Sequence, residues 1–508
     1  MVSKVKTFAF LGINVATVDV QVKIAPGAAV FNVVGLPDKA VGESRERVRA
    51  AITSMGLEIP PKRITVNLAP ADLAKEGSHF DLAIAIGLLI ELGAISQESI
   101  NQYYCLGELA LDGSISQVNG ILPAAIEANS MNCGIICPAA CGPEAAWAGE
   151  DVPIIAPHNL IALINHLKAV QTLAKPKPNK VAEEIYYPDL KDIKGQETAK
   201  RALEIAAAGG HNMLMVGPPG TGKSMLASRL PGLVPEPDLQ EILEINIIHS
   251  ISGKITDGKL VRTRPFRSPH HSCSMPAMVG GGSKSRPGEI SLAHNGILFL
   301  DELAEFPRTV LDSLRQPIEN SKITVSRVNS HIEYPANFQL IAAMNPCRCG
   351  YLMDEIKACK KAPNCGRDYQ SKISGPMIDR MDIIIDVPQI NIFENNQNNN
   401  EHSSEEVRVN IYKAREIQKN RYSNEPGMKN KSSKTNARAD GKVLEKYTEL
   451  DPESQRILKI AVEKMDISMR GYNRILRVAR TIADLEESEK INQNHLMEAI
   501  SYRKNLIF

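Results

Sequence analysis

The sequence predicts an α/β protein of two or three domains, and three observations support this fold class. The chain has 508 residues, more than one hydrophobic core usually supports. From the first residues onward, segments with strand alternation are followed by amphipathic helices. Near the middle, the apolar run 213–216 leads into a glycine-rich turn that opens a helix. A buried strand, a turn and a helix in this order are typical of a parallel sheet covered by helices.

The glycine-rich turn carries the most specific motif. Residues 217–224 read G-P-P-G-T-G-K-S and fit G-x-x-x-x-G-K-[ST] without a mismatch. Such a loop turns backbone N–H groups around a phosphate, and the following helix adds its positive dipole end. We expect Lys223 to reach the β- and γ-phosphates of ATP and Ser224 to hold Mg²⁺; the structural alternative is a plain Gly/Pro turn. The candidate nucleotide-binding residues are Gly217, Pro218, Pro219, Gly220, Thr221, Gly222, Lys223 and Ser224.

Composition and charge bound the class of protein. Hydrophobic residues make up 43% of the chain and charged residues 23%, which is ordinary for a soluble globular protein. The formal net charge is +1, so any basic surface for nucleic acid would have to be local. The N-terminus lacks a signal-peptide core, and the most apolar window, 82–95, is too short to cross a bilayer. We therefore expect a cytoplasmic protein without a membrane partner.

The first 170 residues predict a separate α/β domain. Alternation at 17–23 and the run 29–36 indicate strands, 38–55 an amphipathic helix and 80–92 a buried helix. Asp112-Gly113 predicts a hairpin within 107–116. The segment K-P-K-P-N-K at 175–180 cannot sustain a helix or a central strand, so we place a linker at 171–188.

Two carboxylates follow an apolar strand predicted at 296–300. Asp301 at the end of this strand is placed to enter the Mg²⁺ shell, and Glu302 to polarise an attacking water. The alternative is an N-capping Asp with a Glu in the first helical turn. The phosphate loop earlier in the chain favours the functional interpretation.

The order of these motifs resembles that of AAA+ ATPases. In that class a strand between the two phosphate-site strands ends in a polar residue called sensor 1, and Asn345 matches it in type and place. The resemblance also implies that Arg380 is a finger that reaches the γ-phosphate of a neighbouring subunit. It implies that Arg470 is sensor 2, acting from either side. The alternatives are an Asn-Pro turn at Asn345 and an ordinary surface ion pair at Arg380.

Several blocks narrow the resemblance to the magnesium-chelatase-like AAA+ family. They are R-P-F-R-S-P-H-H at 264–271, G-G-G at 280–282, R-P-G-E-I-S-L-A-H-N-G at 286–296 and R-T-I-A-D-L at 480–485. The resemblance covers essentially the whole chain and implies a ring, expected to be a homo-hexamer. It further implies action on single-stranded or branched DNA, namely branch migration in homologous recombination and natural transformation. A chelatase-like motor subunit and a protein-remodelling chaperone remain open as other function classes.

Basic residues crowd the long insert between the phosphate loop and the carboxylate pair. Phosphate contacts by such side chains would make DNA binding salt-dependent. The alternative is that they pair within the subunit or hold a neighbour. These residues are Arg262, Arg264, Arg267, Lys284 and Arg286.

The N-terminal segment resembles the Lon-type protease domain, a fold also called ribosomal S5 domain 2-like. The resemblance rests on K-E-G-S-H-F-D-L-A at 75–83, G-E-L-A-L-D-G at 107–113 and V-N-G-I-L at 118–122. In that family a serine follows K-D-G-P and a lysine follows a Gly-Gly pair, whereas here His79 and Leu122 stand at those places. Without a nucleophile and its base the domain is expected to be catalytically silent, with Ser78 as the only neighbouring alternative.

A group of cysteines gives a weaker prediction. Cys347, Cys349, Cys359 and Cys365 would supply four thiolates for a structural Zn²⁺, with reduced free thiols as the alternative. The spacing departs from the two-residue spacing that zinc sites usually have. His270 and His271 are adjacent in a polar loop, and adjacent histidines seldom converge on one ion.

These observations give a predicted domain order. A silent Lon-like domain at 1–170 and the linker at 171–188 precede an AAA+ core at 189–390. Residues 391–442, which begin with an Asn-rich run, are expected to be a polar loop, and 443–508 a C-terminal helical lid.

Overall fold

The structure, a computed structural model, describes residues 2–179, 186–282, 286–327, 330–352, 360–389, 403–428 and 434–503. Residues 326, 327, 330 and 331 are described by their backbone alone. Within these ranges, no helix is both long enough and apolar enough to cross a membrane.

The N-terminal region is built on a seven-stranded sheet with the order β3-β4-β2-β1-β5-β8-β9. The pairs β1/β2 and β2/β4 are antiparallel, and the other neighbours in this sheet are parallel. The remaining strands, β6 and β7, form the hairpin that Asp112-Gly113 predicts. The strands are β1 Ser3–Leu11, β2 Asn14–Ala25, β3 Phe31–Val34, β4 Arg63–Ala69, β5 Tyr103–Cys105, β6 Glu108–Leu109, β7 Ile115–Ser116, β8 Gly134–Ile136 and β9 Ile154–Ile155.

Helices pack on this sheet through their apolar faces, which share a hydrophobic core with the strands. The second helix is buried along almost its whole length, as its continuous apolar sequence predicts. Asp38 caps the first helix by accepting from the N–H of Val41 at 2.8 Å. The helices are α1 Lys39–Ser54, α2 Asp81–Glu91, α3 Ile121–Ser130, α4 Gly142–Ala145 and α5 Leu160–Leu167.

The central region contains a five-stranded parallel sheet with the order β11-β14-β17-β10-β18. Three of its strands are buried at every position, because helices pack on both faces of the sheet. The strands are β10 Met213–Val216, β11 Phe266–Arg267, β14 Gly296–Leu300, β17 Phe338–Met344 and β18 Ile383–Asp386. Because all five run in the same direction, their carboxyl ends meet at one edge of the sheet.

Helices and two hairpins surround the central sheet. The helices are α6 Glu197–Gly209, α7 Lys223–Leu233, α8 Leu239–Ser252, α9 Met275–Val279, α10 Glu289–Leu292, α11 Arg308–Ser313, α12 Arg315–Asn320, α13 Asn364–Gln370 and α14 Gly375–Ile378. One hairpin joins β12 Gly280–Gly281 to β13 Arg286–Pro287, and the other joins β15 Lys322–Arg327 to β16 Ser330–Pro335.

The C-terminal region is helical and begins earlier than predicted. Its helices are α15 Ser404–Ser423, α16 Gly441–Tyr447, α17 Pro452–Met465, α18 Met469–Leu485 and α19 Gln493–Ser501. The predicted polar loop at 391–442 is therefore wrong for the segment that forms α15. A capping box at Ser403 and Glu406 starts this helix, and Ile411 and Tyr422 pack into the core shared with α6 and α18. The Asn-rich run at 391–400 lies outside the described residues.

Candidate nucleotide site

The phosphate loop follows β10 directly, at the carboxyl edge of the central sheet. Gly217 is packed so closely against the carbonyl of Val387 that a Cβ atom would overlap it. Gly222 has φ +87° and precedes α7, which begins at Lys223. This left-handed conformation favours glycine, and the first turn of α7, whose N–H groups lack partners within the helix, follows it directly.

The amine of Lys223 lies inside the loop. Its Nζ donates to the carbonyl oxygens of Gly217 at 2.8 Å and Pro218 at 2.7 Å, and it lies 3.4 Å from Oδ1 of Asn345. The residue is only 7% exposed. Burial lowers the pKa of this amine, and the carboxylate of Asp301 acts in the opposite direction.

Ser224 and Asp301 are joined across the site. The hydroxyl of Ser224 donates to Oδ2 of Asp301 at 2.6 Å. The other carboxylate oxygen of Asp301 accepts from the N–H of Glu302 at 2.9 Å. Glu302 adopts the left-handed conformation with φ +52°, and its side chain is exposed. The turn after β14 therefore separates the two carboxylates, so that one faces α7 and the other faces solvent.

Asn345 completes this edge of the sheet. It follows β17, which lies between β10 and β14, so it stands between the phosphate loop and the carboxylate pair. The structure thus brings together Lys223, Ser224, Asp301, Glu302 and Asn345, which are far apart in sequence. Their catalytic roles remain predictions.

The residues at this edge fit Mg²⁺-ATP. A buried amine, an open glycine turn and the N-terminus of the 11-residue helix α7 form a cradle for phosphate. A hydroxyl beside a carboxylate is the oxygen donor pair that Mg²⁺ prefers. Ser224 and Asp301 would hold the metal, and Lys223 would contact the phosphates.

His271 is a site residue that the sequence interpretation missed. Its Nδ1 lies 3.0 Å from Oε2 of Glu302, and its ring lies against His270 with 4.0 Å between centroids. The parallel register pairs Arg267 of β11 with Leu298 of β14. His271 and Glu302 each lie four residues further along the chain from this pair, which brings them opposite each other. β11 is an edge strand, and β14 and β17 separate it from β10, so Glu302 contacts a residue that follows the strand on the far side of β14 from the phosphate loop. The feature of the sequence that could have indicated this contact is the polar segment 268–271, which directly follows β11.

Arg380 lies at the opposite, amino edge of the same sheet. It precedes β18, which pairs in parallel with β10 and starts in register with Met213. Its guanidinium bonds Oε1 of Glu319 at 2.5 Å and the carbonyl of Pro376 at 2.6 Å, and the residue is only 6% exposed. Its Nε is buried without a hydrogen-bond partner. Within one chain Arg380 cannot reach the phosphate loop. It forms an ion pair, as the alternative interpretation predicts, but the arginine is buried and the pair is not an ordinary surface one.

Arg470 also lies at the amino edge. It lines a cavity of about 570 Å³ together with Asn212, Glu319, Asp382 and Arg438. Asn212 immediately precedes β10, so this cavity and the phosphate loop lie at opposite ends of that strand. The resemblance allows Arg470 to act on the nucleotide of its own chain or on that of a neighbour. Because Arg470 does not approach the nucleotide site of its own chain, its position fits only the second of these.

A buried ion pair fixes the C-terminal helices to this edge. Arg474 of α18 donates to Oδ1 of Asp382 at 2.5 Å, and Nδ1 of His211 lies 3.6 Å from Oδ2 of the same carboxylate. Burial alone would raise the pKa of Asp382, but the charge of Arg474 and the contact with His211 hold it well below its usual range. Arg474 is therefore a structural residue here.

Two of the five basic insert residues pair within the subunit. Arg264 binds the carboxylate of Glu241 at 2.8 Å, and Arg267 binds Glu289 at 2.6 Å. Arg262 and Arg286 are exposed. The prediction for Lys284 falls outside the described residues. Pairing within the subunit, which was the alternative interpretation, is therefore confirmed for Arg264 and Arg267.

The zinc prediction is not supported. The sulfur atoms of Cys347 and Cys349 lie 3.1 Å apart, and Cys365 is half-buried on α13. Cys359 falls outside the described residues. Within the described ranges no group of three or more metal-ligating side chains comes together, and His270 with His271 forms no such group.

The N-terminal region has no serine-lysine pair at the places that the resemblance indicates. His79 is buried, and its Nε2 lies 2.9 Å from the carbonyl oxygen of Phe8; burial lowers its pKa to about 4. The hydroxyl of Ser78 donates a hydrogen bond to the carboxylate of Glu108. Leu122 is fully buried.

A parallel sheet with a phosphate loop after one strand and paired carboxylates after another is the arrangement of P-loop nucleotide-binding modules. Comparison with known families narrows this class, and the chain belongs to the magnesium-chelatase-like family. Residues 189–395 match the family described as magnesium chelatase, subunit ChlI. Residues 20–141 match subunit ChlI of Mg-chelatase, and residues 401–503 match the subunit ChlI C-terminal family.

Whole-length relatives agree with this assignment. The chain is 43% identical over 501 residues to the uncharacterized protein YifB of Salmonella typhimurium, covering 98% of this chain and 96% of YifB. It is 42% identical over 504 residues to the competence protein ComM of Haemophilus influenzae, covering 97% and 96%. The resemblance to the magnesium-chelatase-like family that the sequence predicts is confirmed, and it extends to both YifB and ComM. A weaker similarity, 22% over 202 residues, relates 35% of this chain to 36% of Lon protease 2 of Bacillus subtilis.

Proposed function

We propose that this protein is an AAA+ ATPase that couples Mg²⁺-dependent ATP hydrolysis to the remodelling of DNA, and that the reaction on DNA is branch migration in homologous recombination or natural transformation. One observation carries the ATPase part. The amine of Lys223, the Ser224–Asp301 pair, Glu302 and Asn345 meet at the carboxyl edge of one parallel sheet.

The chain's own residues divide the work of hydrolysis. Lys223, whose amine lies inside the loop, would bind the phosphates, and the Ser224–Asp301 pair would hold the metal. Bound Mg²⁺ supplies a positive charge that offsets the charge developing on the transferred phosphoryl group. Glu302 accepts a proton from the attacking water, and Asn345 orients that water.

The amino-edge arginines act on a second copy of the chain. Arg380 and Arg470 lie at the other end of the sheet from their own phosphate loop. In a closed ring, expected to be a homo-hexamer, this edge of one subunit faces the nucleotide of the next. Arg380 then has to leave Glu319 to reach that nucleotide.

The DNA part rests on family and charge. ComM carries the description of a competence protein and resembles this chain over nearly its full length. Arg262 and Arg286 expose positive charge on the insert, the latter in the β12–β13 hairpin. The N-terminal region is a catalytically silent Lon-like domain, and the helices from α15 onward form the lid.

The test is the rate of ATP hydrolysis with no DNA, linear duplex and branched DNA over a range of salt concentrations. We expect branched DNA to raise the rate most and the effect to weaken as salt increases. The variant Lys223→Ala should abolish hydrolysis in every condition while melting at the wild-type temperature. Stimulation by none of the DNA substrates at low salt would reject the DNA part and leave the ATPase part standing.

A chelatase-like motor is the alternative that the family name suggests. It predicts that hydrolysis depends on partner subunits and a porphyrin and that DNA has no effect. A protein-remodelling chaperone predicts stimulation by an unfolded polypeptide. Adding each substrate separately to the same assay distinguishes the three.

A further inference from the structure

The N-terminal domain contacts the ATPase module at two separate places. The first joins the start of α3 and the α4 region to the segment from Ser250 to Leu260, which ends α8 and follows it. The second joins the turn between β1 and β2 to the β15–β16 hairpin. We call these the α8 contact and the hairpin contact.

The α8 contact combines hydrogen bonds with a small apolar core. The carbonyl of Ser250 accepts from the N–H of Gly120 at 3.1 Å, and its hydroxyl donates to Oε1 of Glu144 at 2.5 Å. Leu122, Ile255 and Leu260 are buried together, with Ile126 and Trp147 packed beside them. The indole N–H of Trp147 donates to the carbonyl of Gly258 at 2.9 Å. Residues of both modules contribute to one core, which resists separation.

Glu144 makes this contact costly to open. It is 4% exposed, and its Oε1 accepts from both Ser250 and the N–H of Leu122. Burial raises the pKa of this carboxyl, and the two hydrogen bonds lower it. If the two surfaces separate, the buried carboxyl of Glu144 loses the hydrogen bond from Ser250 and keeps only the one from Leu122. The loss of a hydrogen bond by a buried polar group is unfavourable.

The hairpin contact is a close backbone approach. Gly12 has φ +69°, and a Cβ atom there would lie 2.7 Å from Cγ2 of Ile332 and 3.0 Å from the carbonyl oxygen of Glu333. The neighbouring Ile13 packs against the core of the central region. On the same hairpin, Val325 lies 3.6 Å from where a Cβ of Gly281 would be, so the two hairpins of the ATPase module lie close together.

The α8 contact leads on to the nucleotide site through α8 itself. Glu244 of α8 bonds His294 at 3.1 Å and Asn295 at 2.8 Å. These two residues immediately precede β14, the strand that carries Asp301 and Glu302 at its other end. The two hairpins and the catalytic carboxylates are thus linked through the N-terminal domain as well as through the ATPase module.

We propose that the N-terminal domain is a brace that couples the hairpins to the nucleotide site. Because it holds α8 and the β15–β16 hairpin at once, the hairpin cannot shift relative to α8 unless the domain moves or a contact opens. Polymer bound at the hairpins therefore acts on hydrolysis through this domain. The coupling to DNA rests on the proposed function, whereas the mechanical link does not.

The test opens the α8 contact and measures the hairpin. Ser250→Asp places a second carboxylate beside Glu144 and should separate the surfaces. Ser252→Asp is the matched control, since its hydroxyl donates to carbonyls of its own helix. Trp147 is the only tryptophan in the sequence, so its fluorescence reports the contact directly.

We expect Ser250→Asp to shift the emission of Trp147 to longer wavelength and to speed amide hydrogen exchange in 322–335. The control should do neither. In the same variant the ratio of DNA-stimulated to basal ATP hydrolysis should fall towards one, while the basal rate stays within about two-fold of wild type. If Ser250→Asp does not fold, Trp147→Phe removes one bond across the contact and is expected to lower the same ratio and speed the same exchange.

If Ser250→Asp opens the α8 contact but amide hydrogen exchange in the β15–β16 hairpin stays at the wild-type rate, the brace proposal is overturned. A Trp147→Phe variant with wild-type exchange and coupling would also overturn it. If wild-type protein responds to no DNA, the DNA part of the proposed function fails, and hydrogen exchange of the hairpin alone decides whether the N-terminal domain is a brace.

Discussion

The hydroxyl of Ser224 donates to Oδ2 of Asp301 at 2.6 Å, joining two segments 77 residues apart. Ser224 lies in the first turn of the helix after the phosphate loop, and Asp301 directly follows β14, which is two places away from β10 in the sheet. The pair forms because β10 and β14 run parallel and end at the same edge. It is the most direct link between the loop and the carboxylates.

Asp301→Asn should weaken metal binding more than nucleotide binding. The amide keeps an oxygen for the Ser224 hydroxyl but loses the negative charge that Mg²⁺ prefers. We expect the Mg²⁺ concentration for half-maximal hydrolysis to rise about ten-fold, which corresponds to about 1.4 kcal/mol. Binding of a fluorescent ATP analogue without Mg²⁺ should stay close to wild type. An unchanged Mg²⁺ requirement would contradict the assignment.

His271→Ala should raise the basal rate of hydrolysis. Nδ1 of His271 lies 3.0 Å from Oε2 of Glu302 and restrains this carboxylate, so its loss should raise the rate about ten-fold, which corresponds to about 1.4 kcal/mol. Stimulation by DNA should shrink accordingly. His270→Ala is the matched control, because His270 bonds Ser272 and does not contact Glu302 in the described structure. A fall in basal rate would mean that His271 positions Glu302 for catalysis instead of restraining it.

Mixing two inactive variants tests whether Arg380 acts on a neighbour. Lys223→Ala subunits keep Arg380, and Arg380→Ala subunits keep the phosphate loop. In rings mixed at random in equal amounts, about one quarter of the sites combine an intact loop with an intact arginine from the next subunit. ATPase activity should therefore recover to about that fraction, although each variant alone is inactive. No recovery in rings shown to be mixed would place Arg380 in a role within its own subunit.

The stability of the N-terminal domain should fall on acidification because of His79. Its pKa is lowered to about 4 by burial, while the unfolded value is near 6.5, so the unfolded state binds more protons between these values. The folded domain consequently loses stability as the pH drops from about 6.5 to 4, by about 3 kcal/mol in total from this group.

The variant His79→Gln keeps a polar group near the carbonyl of Phe8 and cannot gain this proton. Denaturant unfolding at pH 7 and pH 5 should show a smaller loss for the variant than for wild type. Equal losses in both proteins would exclude His79 as the source. His249, whose pKa is also lowered to about 4, is unchanged in both and so cancels in the comparison.

The sequence alone determined the local chemistry of the nucleotide site. The G-P-P-G-T-G-K-S motif determined the loop, because Gly220 and Gly222 adopt positive φ and Gly217 has no room for a Cβ atom. The apolar runs at 213–216 and 296–300 determined two buried strands. These features depend on residues adjacent in the chain. The same local logic placed Asp301, Glu302 and Asn345 at strand ends, where parallel strands gather polar groups.

The tertiary structure decided what depends on residues distant in sequence. It paired His271 with Glu302, Arg380 with Glu319 and Ser250 with Glu144, contacts between segments 31, 61 and 106 residues apart. It also made α15 a helix, because the apolar positions of that polar segment find a core only when α6 and α18 lie beside it. A pattern read along the chain reports which face of an element is apolar, but only packing determines what that face meets.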